Sequence, residues 1–317
     1  MPRLWTPLVL IGLSAAMACS DTPTAPEAAV LTILAHRQLT GENLLISATG
    51  SDVGSLGPTT VNMVPIGAYT ANGTIALRAG DAIVLTTLDH PERIDTIIQP
   101  APTSQSLLSF SPTGVLLALV SYAPTRAVLV YDRANKTIDT LPLGTLDPAL
   151  PPVFSPEGDR IALLTVTQLS VLLTTINLST PLQFYSEPLQ LSRLLNRPLF
   201  GWPRWIGDGI HMAFRRVAEP GPDTLVVGIV HPDNADAALE EQYRAVMAPG
   251  DQRPEIAFGP SSTYSLSADG RALVLAAFPS AGATAHSIYV VTPSLPRIRV
   301  VEDEPGVVLF FPQFINQ

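Results

Sequence analysis

Few residues of this chain are cysteine, lysine or aromatic, and each shortage excludes a class of structure or ligand. The single cysteine, Cys19, rules out an intramolecular disulfide and any site built from several thiolates. Lysine occurs once, at Lys136, and the 27 acidic residues outnumber the 18 basic ones, which gives a net charge of −9. An acidic surface argues against nucleic acid as a partner, because phosphate binding needs basic patches. Aromatic residues make up only 6% of the chain, so an extended platform for stacking sugars is not expected.

Short motifs of common catalytic sites are also missing from the sequence. It has no Gly-x-Ser-x-Gly elbow, no Walker phosphate loop, no His-Glu-x-x-His pair and no Gly-x-Gly-x-x-Gly fingerprint. We therefore assign no catalytic, cofactor-binding or metal-binding residue from the sequence. The 31 prolines make long helices unexpected anywhere in the chain.

What the sequence does contain is a recurring five-residue phrase: a large apolar residue, Ser or Thr, a turn residue, an Asp-like residue and Gly. The sharp copies are Phe110–Gly114 and Phe154–Gly158, and looser copies end at Gly73, Gly209 and Gly270. An apolar run follows each copy. Each phrase therefore predicts a hairpin, in which glycine takes the positive φ that other residues resist.

The spacing of the phrase predicts a ring of small sheets. Successive glycines lie 41 (114−73), 44 (158−114), 51 (209−158) and 61 (270−209) residues apart, and a four-stranded propeller blade takes roughly 40–50 residues. The C-terminal Phe311–Gln317 resembles the start of a blade. Its partner strands are expected near Ala29–Leu34, Asn43–Ala48 and Thr59–Pro65, so that the C-terminal strand completes the N-terminal blade and removes exposed edges.

These observations predict an all-β fold: a six-bladed β-propeller of four-stranded antiparallel sheets, closed by the C-terminal strand. Five phrases and one split blade give the count of six. The interval of 61 residues (270−209) has room for a further degenerate unit, so seven blades are the alternative.

Two segments carry a resemblance to a known family. Phe154–Ala162 resembles the strand–turn–strand core of TolB-like propeller repeats, which are relatives of the tryptophan-aspartate repeat. Val128–Asp132 and Ser287–Thr292 resemble the third strand of the same repeat. The resemblance covers roughly residues 65–317 and implies a propeller, and analogy at the level of the fold supplies a role in binding.

The N-terminus has the features of a bacterial export signal. Arg3 precedes the apolar run Leu8–Leu13, and small residues lead up to Cys19. Ala16–Cys19 resembles a lipobox, in which the cysteine is lipidated and becomes the mature N-terminus. Cleavage after Ala18 by an ordinary signal peptidase, which would release a free secreted protein, is the alternative. We expect residues 1–18 to be a signal peptide, residues 19–28 the lipidated Cys19 with its linker, and residues 29–317 a single propeller domain.

Several other residues have both a functional and a purely structural interpretation. His90 and His231 follow predicted third strands and are the best local candidates for a metal site, although turn chemistry explains them equally well. Trp205 occupies the aromatic position of the phrase and is predicted to be core, whereas Trp202 is either core or faces the central channel. Ala237–Met247 reads as a short helix or, at its end, as an outer strand. The remaining histidines and the acidic runs have no metal-site spacing: His36, His211, His286, Glu240-Glu241 and Glu302–Glu304.

Two functions are compatible with the sequence. The first is a non-catalytic, lipid-anchored propeller in the bacterial cell envelope that binds an envelope protein or peptide, is anchored to the membrane through Cys19 and is monomeric. The second is a propeller enzyme of the lactonase or sugar-processing type with a metal in the channel. That enzyme would need acids on the first strands, and the predicted first strands carry none, for example Leu107–Phe110 and Pro151–Phe154. We therefore favour the binding module.

Overall fold

The computed structural model describes most of the propeller and none of the N-terminal segment. The described residues are 32–47, 53–69, 71–103, 106–148, 150–166, 171–179, 182–184, 189–191, 196–198, 200–216, 224–233, 240–246, 263–277, 287–292, 298–302 and 309–316. The predicted signal peptide, Cys19 and the linker lie outside them. Among the described residues no helix is long and apolar enough to cross a membrane.

Each phrase of the sequence repeat forms the turn between the first and second strands of a blade. In the turn at residues 111–116, the Gly114 amide donates to the Ser111 carbonyl oxygen over 2.8 Å, and Gly114 has a φ of 69°. The Ser111 hydroxyl accepts a hydrogen bond from the Leu116 amide at 3.0 Å, which satisfies a backbone donor that the tight turn would otherwise leave free. The same pair of bonds recurs at Ser155 and Ser267.

These hairpins extend into six sheets, numbered here as blades 1 to 6. Blade 1 contains β1 (Thr32–Arg37), β2 (Glu42–Ser47) and β3 (Val53–Ser55). Blade 2 contains β4 (Val64–Tyr69), β5 (Thr74–Ala79), β6 (Ala82–Thr87) and β7 (Asp95–Ile98). Blade 3 contains β8 (Ser109–Phe110), β9 (Leu116–Ser121), β10 (Ala127–Asp132) and β11 (Thr137–Pro142). A short 3₁₀ turn at Pro58–Thr60 links blades 1 and 2.

Blades 4 to 6 carry additional short strands. Blade 4 contains β12 (Val153–Phe154), β13 (Arg160–Val166), β14 (Val171–Asn177), β15 (Gln183–Phe184) and β16 (Leu189–Leu191). Blade 5 contains β17 (Asn196–Pro198), β19 (Arg204–Ile206), β20 (Gly209–Arg216), β21 (Thr224–Val230) and β22 (Glu240–Val246); the segment between β17 and β19 forms β18 (Phe200–Trp202), which joins blade 6. The other strands of blade 6 are β23 (Thr263–Leu266), β24 (Leu273–Ala277), β25 (Ser287–Val291) and β26 (Ile298–Glu302). The last strand, β27 (Leu309–Asn316), returns to blade 1.

The ring closes where β27 pairs with β1. The pairing is antiparallel, with Leu34 opposite Gln313 and Arg37 opposite Leu309. Strand β27 thus becomes the innermost strand of blade 1, whose other strands are the first three described strands of the chain. This confirms the predicted closure by the C-terminal strand and the six-bladed count; the seventh blade is not needed, because the long interval is occupied by β21, β22 and the connection to β23.

The hydrophobic core is divided into six layers, one between each pair of neighbouring blades. Between blades 1 and 2, for example, Leu34 and Ile315 pack against Ile75 and Leu77. Between blades 4 and 5, Trp205 packs with residues of β12 and β13. Because each sheet is apolar on both faces, a blade buries its surface only when it has a neighbour on each side, which is why the ring must close.

Two local predictions need correction, and one open alternative is decided. Thr59–Pro65 is not the fourth strand of blade 1: that strand is β3, within the stretch that reads as a Gly/Ser-rich loop, and Val64 already begins blade 2. Of the two interpretations of Ala237–Met247, the outer strand is confirmed for the described residues, which form β22, because pairing with β21 satisfies the backbone. In blade 5 the positive φ belongs to Gly207 and not to Gly209, because the turn there is shorter.

Candidate functional site

A cavity of about 380 Å³ opens at the end of the central channel where the first strands run into their turns. We call it the channel mouth. Every blade contributes to its wall, and one lining residue from each of blades 1 to 6 in order is Gln313, Tyr69, Phe110, Phe154, Arg204 and Ser265. The volume lies in the range of small-ligand sites, roughly 300–1,000 Å³. Among the residues that the structure describes, the lining contains no Asp, Glu, His or Cys.

The wall on the side of blades 2 and 3 is aromatic and held in place. The rings of Tyr69 and Phe110 stack at a centroid distance of 5.8 Å and an angle of 29°. The Tyr69 hydroxyl donates to the Pro112 carbonyl oxygen at 2.9 Å, which fixes the ring over the turn of blade 3. A side chain at Gly114 would bring its Cβ to 2.6 Å from the Tyr69 ring, so glycine serves there both for its φ and for the space it leaves.

Trp202 forms the floor of the mouth. It belongs to β18, which leaves the innermost strand of blade 5 and pairs in parallel with β23 of blade 6. The indole Nε1–H donates to the Leu108 carbonyl oxygen of blade 3 at 3.2 Å, and the ring meets Phe311 of blade 1 edge-on at 6.1 Å. Blades 3 and 6 are opposite each other in a ring of six. The indole therefore reaches across the channel from blade 6 to blade 3 at the bottom of the mouth.

Glycine makes this crossing possible. A Cβ at Gly201 would collide with the carbonyl oxygen of Tyr264 on β23, so only a residue without a side chain allows the two strands to approach. Strands β17 and β19 on either side remain paired with β20, and the detour is confined to the described residues Phe200–Trp202.

Arg204 stands in the wall of the mouth. Its Nε–H donates to the Leu266 carbonyl oxygen of blade 6 at 2.9 Å. Burial lowers the pKa of Arg204 to about 10, an effect that the carboxylate of Asp269 opposes, so the group stays protonated at neutral pH. Side chains alternate along a strand. Trp205 therefore packs into the layer shared with blade 4, while Arg204 points to blade 6.

With the fold and the mouth described, known structures provide a comparison. TolB from Acinetobacter baumannii superposes with a TM-score of 0.61 at 12% identity, over 90% of this chain and 66% of that one. A chain from a nidogen–laminin complex superposes with a TM-score of 0.57 at 10% identity, over 90% of this chain and 98% of that one. A TolB-type protein from Agrobacterium tumefaciens superposes with a TM-score of 0.53 at 10% identity, over 89% of this chain and 98% of that one. The propeller is TolB-like.

This TolB-like relationship is one of fold. Identities of 10% to 12% establish the architecture alone, and the chain spans only 66% of the length of the Acinetobacter protein. No protein-family model matches the chain. No curated protein matches its sequence. The resemblance inferred from Phe154–Ala162 and the third strands is thus confirmed at the level of the propeller, while the ligand has to be inferred from the mouth.

The histidines considered as metal ligands lie apart from the mouth of this TolB-like ring. His36 is buried in blade 1 and its Nδ1 lies 2.9 Å from the Asn43 Oδ1; burial lowers the pKa of His36, and that hydrogen bond opposes the shift only in part. His90 lies on an exposed loop of blade 2, 3.3 Å from a carboxylate oxygen of Glu92. His286 lies outside the described residues.

Blade 5 holds the other two histidines, next to each other at the rim. His231 has its Nδ1 3.6 Å from Asp208 and its Nε2 3.4 Å from Glu240. His211 contacts Gln242 at 3.1 Å, and burial lowers its pKa, partly opposed by that contact. No group of three or more His, Cys, Asp or Glu side chains suited to a metal occurs among the residues that the structure places.

The two tryptophans and the acidic runs can now be placed. Trp205 is in the core, as predicted, and Trp202 faces the channel, which was the alternative interpretation. Glu240 and Glu241 lie on β22, and of Glu302–Glu304 only Glu302 is described, at the end of β26. Sequence reasoning did not identify Arg204 or Gln313. The strand alternation next to Trp205 was the available signal for Arg204.

Proposed function

We propose that this protein is a non-catalytic, lipid-anchored propeller that binds an envelope protein or peptide at its channel mouth. The observation that carries the proposal is the character of the mouth. It is a pocket of ligand size with aromatic and apolar walls and a few hydrogen-bond donors. Its described lining residues include none of the acids, histidines or thiols that would supply a thiolate or carboxylate nucleophile, a general base or a metal site.

The fold is compatible with such a role. A chain from a nidogen–laminin complex, which is an assembly of two proteins, has the same architecture. Fold alone does not determine function, so this likeness only adds to what the mouth indicates. A rigid ring with a preformed pocket binds at low entropic cost, since little of the protein must be ordered on binding.

The anchor is proposed from the sequence around Cys19. Thioether formation at its sulfur and cleavage before it would leave a lipidated N-terminus, which the Ser/Thr/Pro-containing linker separates from the ring. In a bacterial host, the native chain is expected in the membrane fraction after a high-salt wash, and Cys19→Ala in the soluble fraction. The proposed anchor would be wrong if both chains fractionated alike, or if the mature native protein had no lipid mass.

Photo-cross-linking in cells tests the binding proposal. A photoreactive residue replaces Ala71 or Ala268, two small exposed residues that line the mouth. The matched control is Asp81, an exposed residue between β5 and β6 at the opposite end of the blade. We expect the two mouth positions to give the same protein adduct and Asp81 to give none. No adduct from the mouth, or a stoichiometric divalent ion in the purified protein, would favour the enzyme instead.

A further inference from the structure

Arg204 is the only charged residue among the described residues that line the mouth. Guanidinium carries five N–H donors, and one of them is taken by the Leu266 carbonyl oxygen. No carboxylate of the described residues lies within ion-pair distance of it. The carboxylate of Asp269 acts on Arg204 only from beyond ion-pair distance, so the half-buried charge loses hydration without gaining an anion in contact with it, which is unfavourable. An anion from outside the chain would supply that partner.

Gln313 is a second polar side chain in the wall of the same cavity. The side chain belongs to β27, is only 2% exposed and lines the mouth. Its Nε2 has no hydrogen-bond partner in the described structure. Buried amide donors are rarely left unpaired, since each costs about 1–3 kcal/mol. Arg204 and Gln313 flank blade 6 from its two sides, so the donors that lack partners are gathered in one sector of the wall.

The floor restricts the shape of what can enter. Because the Trp202 indole reaches across the channel to the Leu108 carbonyl oxygen, we expect a polypeptide that enters the mouth either to end there or to turn back. A cavity of about 380 Å³ leaves little room for a chain that turns back on itself. Of the two ends of a protein, an amino terminus would place a cation beside Arg204, whereas a carboxyl terminus would place an anion there.

The rim adds a second electrostatic condition. Glu157, Asp208 and Asp269 are exposed on the first turns of blades 4, 5 and 6, the blades around Arg204, and they outnumber the one exposed cation of these turns, Arg271. The corresponding turn positions of blades 2 and 3 are the neutral Asn72 and Thr113. An acidic rim repels acidic segments and attracts basic ones, so a bound chain would carry its negative charge at the tip and positive charge further back.

We propose that the channel mouth binds the C-terminal end of a partner protein, with the terminal carboxylate on Arg204 and Gln313. Apolar side chains of the last residues pack against the Tyr69–Phe110 wall, and basic residues upstream face the acidic rim. This inference rests on the proposed binding of a protein or peptide and makes the ligand specific.

Paired peptide libraries test it. Both sets are N-acetylated with the last four positions randomised, and they differ only in ending in a free carboxylic acid or in a primary amide. The purified protein is expected to enrich acid peptides with an apolar end and basic residues before it. The amide form of an enriched peptide should bind at least about tenfold more weakly, since charged hydrogen bonds contribute more than neutral ones.

Substitutions locate the preference. Arg204→Gln is expected to remove the difference between acid and amide, and Arg204→Lys to keep part of it, because lysine retains the charge but not the fork of donors. The matched control is Arg271→Gln, at an exposed arginine of the rim that does not line the cavity. It should leave the preference unchanged. If Arg204→Gln does not fold, the difference in affinity of the native protein for the acid and amide forms of one peptide still tests whether the carboxylate is recognised.

The possible failures are distinguishable from failure of the proposed function. Equal binding of the acid and amide forms would overturn the carboxylate inference and leave peptide binding intact. A cross-linked partner that still binds after removal of its last residues would do the same. Enrichment of no acid peptide would also overturn it, and the adducts from Ala71 and Ala268 would then decide alone whether the mouth binds a protein.

Discussion

Blades 4 and 5 are neighbours built from the same repeat, yet only blade 4 has an uninterrupted first strand that ends in the turn of the phrase. In blade 4 the first strand β12 runs into a turn closed by the Ser155 hydroxyl. In blade 5 the first strand is divided into β17, β18 and β19, and Ile206 precedes the turn where blade 4 has that serine. The regular blade provides packing surface. The irregular blade provides Trp202 and Arg204, so the candidate site arises where the repeat departs from its pattern.

The largest expected effect comes from removing the floor. Trp202→Ala deletes a buried indole together with its bond to Leu108, and we expect a loss of about 3–5 kcal/mol in the free energy of unfolding. Denaturant unfolding followed by circular dichroism measures it. Trp202→Phe keeps an aromatic ring near Phe311 but not the hydrogen bond, and should cost about 1–2 kcal/mol. Equal and small effects of both changes would show that blade 5 does not depend on the crossing.

The regular part of the ring was predictable because its signal is local. The Ser and Gly of each phrase act within one turn, so Phe110–Gly114 and Phe154–Gly158 can be recognised without the rest of the fold. In blade 5 the phrase predicted the positive φ at Gly209, whereas Gly207 has it. Ile206 has no hydroxyl that could close the longer turn. The detour of β18 could not be predicted, because its parallel partner β23 is distant in sequence and the segment reads as a proline-rich loop.

The candidate site was predicted only in part. The apolar and aromatic wall follows from the phrase itself, since Tyr69, Phe110 and Phe154 are its first residues. Arg204 and Gln313 were missed, because the role of each depends on which blades its strand faces. Arg204 acquires it through the register of β19, and Gln313 through the closure of the ring.

Gly201→Ala tests the close approach of the β18 backbone to β23. The added methyl group would meet the Tyr264 carbonyl oxygen, so β18 must move away from β23. We expect a loss of about 1–3 kcal/mol in the free energy of unfolding, as for other overpacked sites. Gly54→Ala is the matched control, because a Cβ there meets nothing within 4 Å. An effect of Gly201→Ala no larger than that of the control would contradict the close approach of the two strands.

Ser155→Ala tests the regular blade. The change removes the acceptor of the Arg160 amide in a turn whose serine is fully buried, and we expect a loss of about 1–2 kcal/mol. Glu157→Gln changes an exposed residue of the same turn and should have almost no effect on thermal unfolding. Ser111→Ala and Ser267→Ala should resemble Ser155→Ala, because the same bond recurs there. Unequal costs at the three serines would show that the blades are not equivalent in energy.

The smallest expected effect compares two buried histidines, His36 in blade 1 and His211 in blade 5. Burial lowers both pKa values in the folded protein. The unfolded chain, whose histidine pKa is about 6.5, therefore binds more protons at acidic pH. Stability should be full above that value and decrease as the pH falls from there towards the folded pKa. Unfolding free energies of the native protein, His36→Gln and His211→Gln between pH 7.5 and 5.5 measure this. Each variant should show a shallower dependence than the native protein, and an unchanged slope in His211→Gln would mean that its ring is hydrated in the folded state, unlike that of His36.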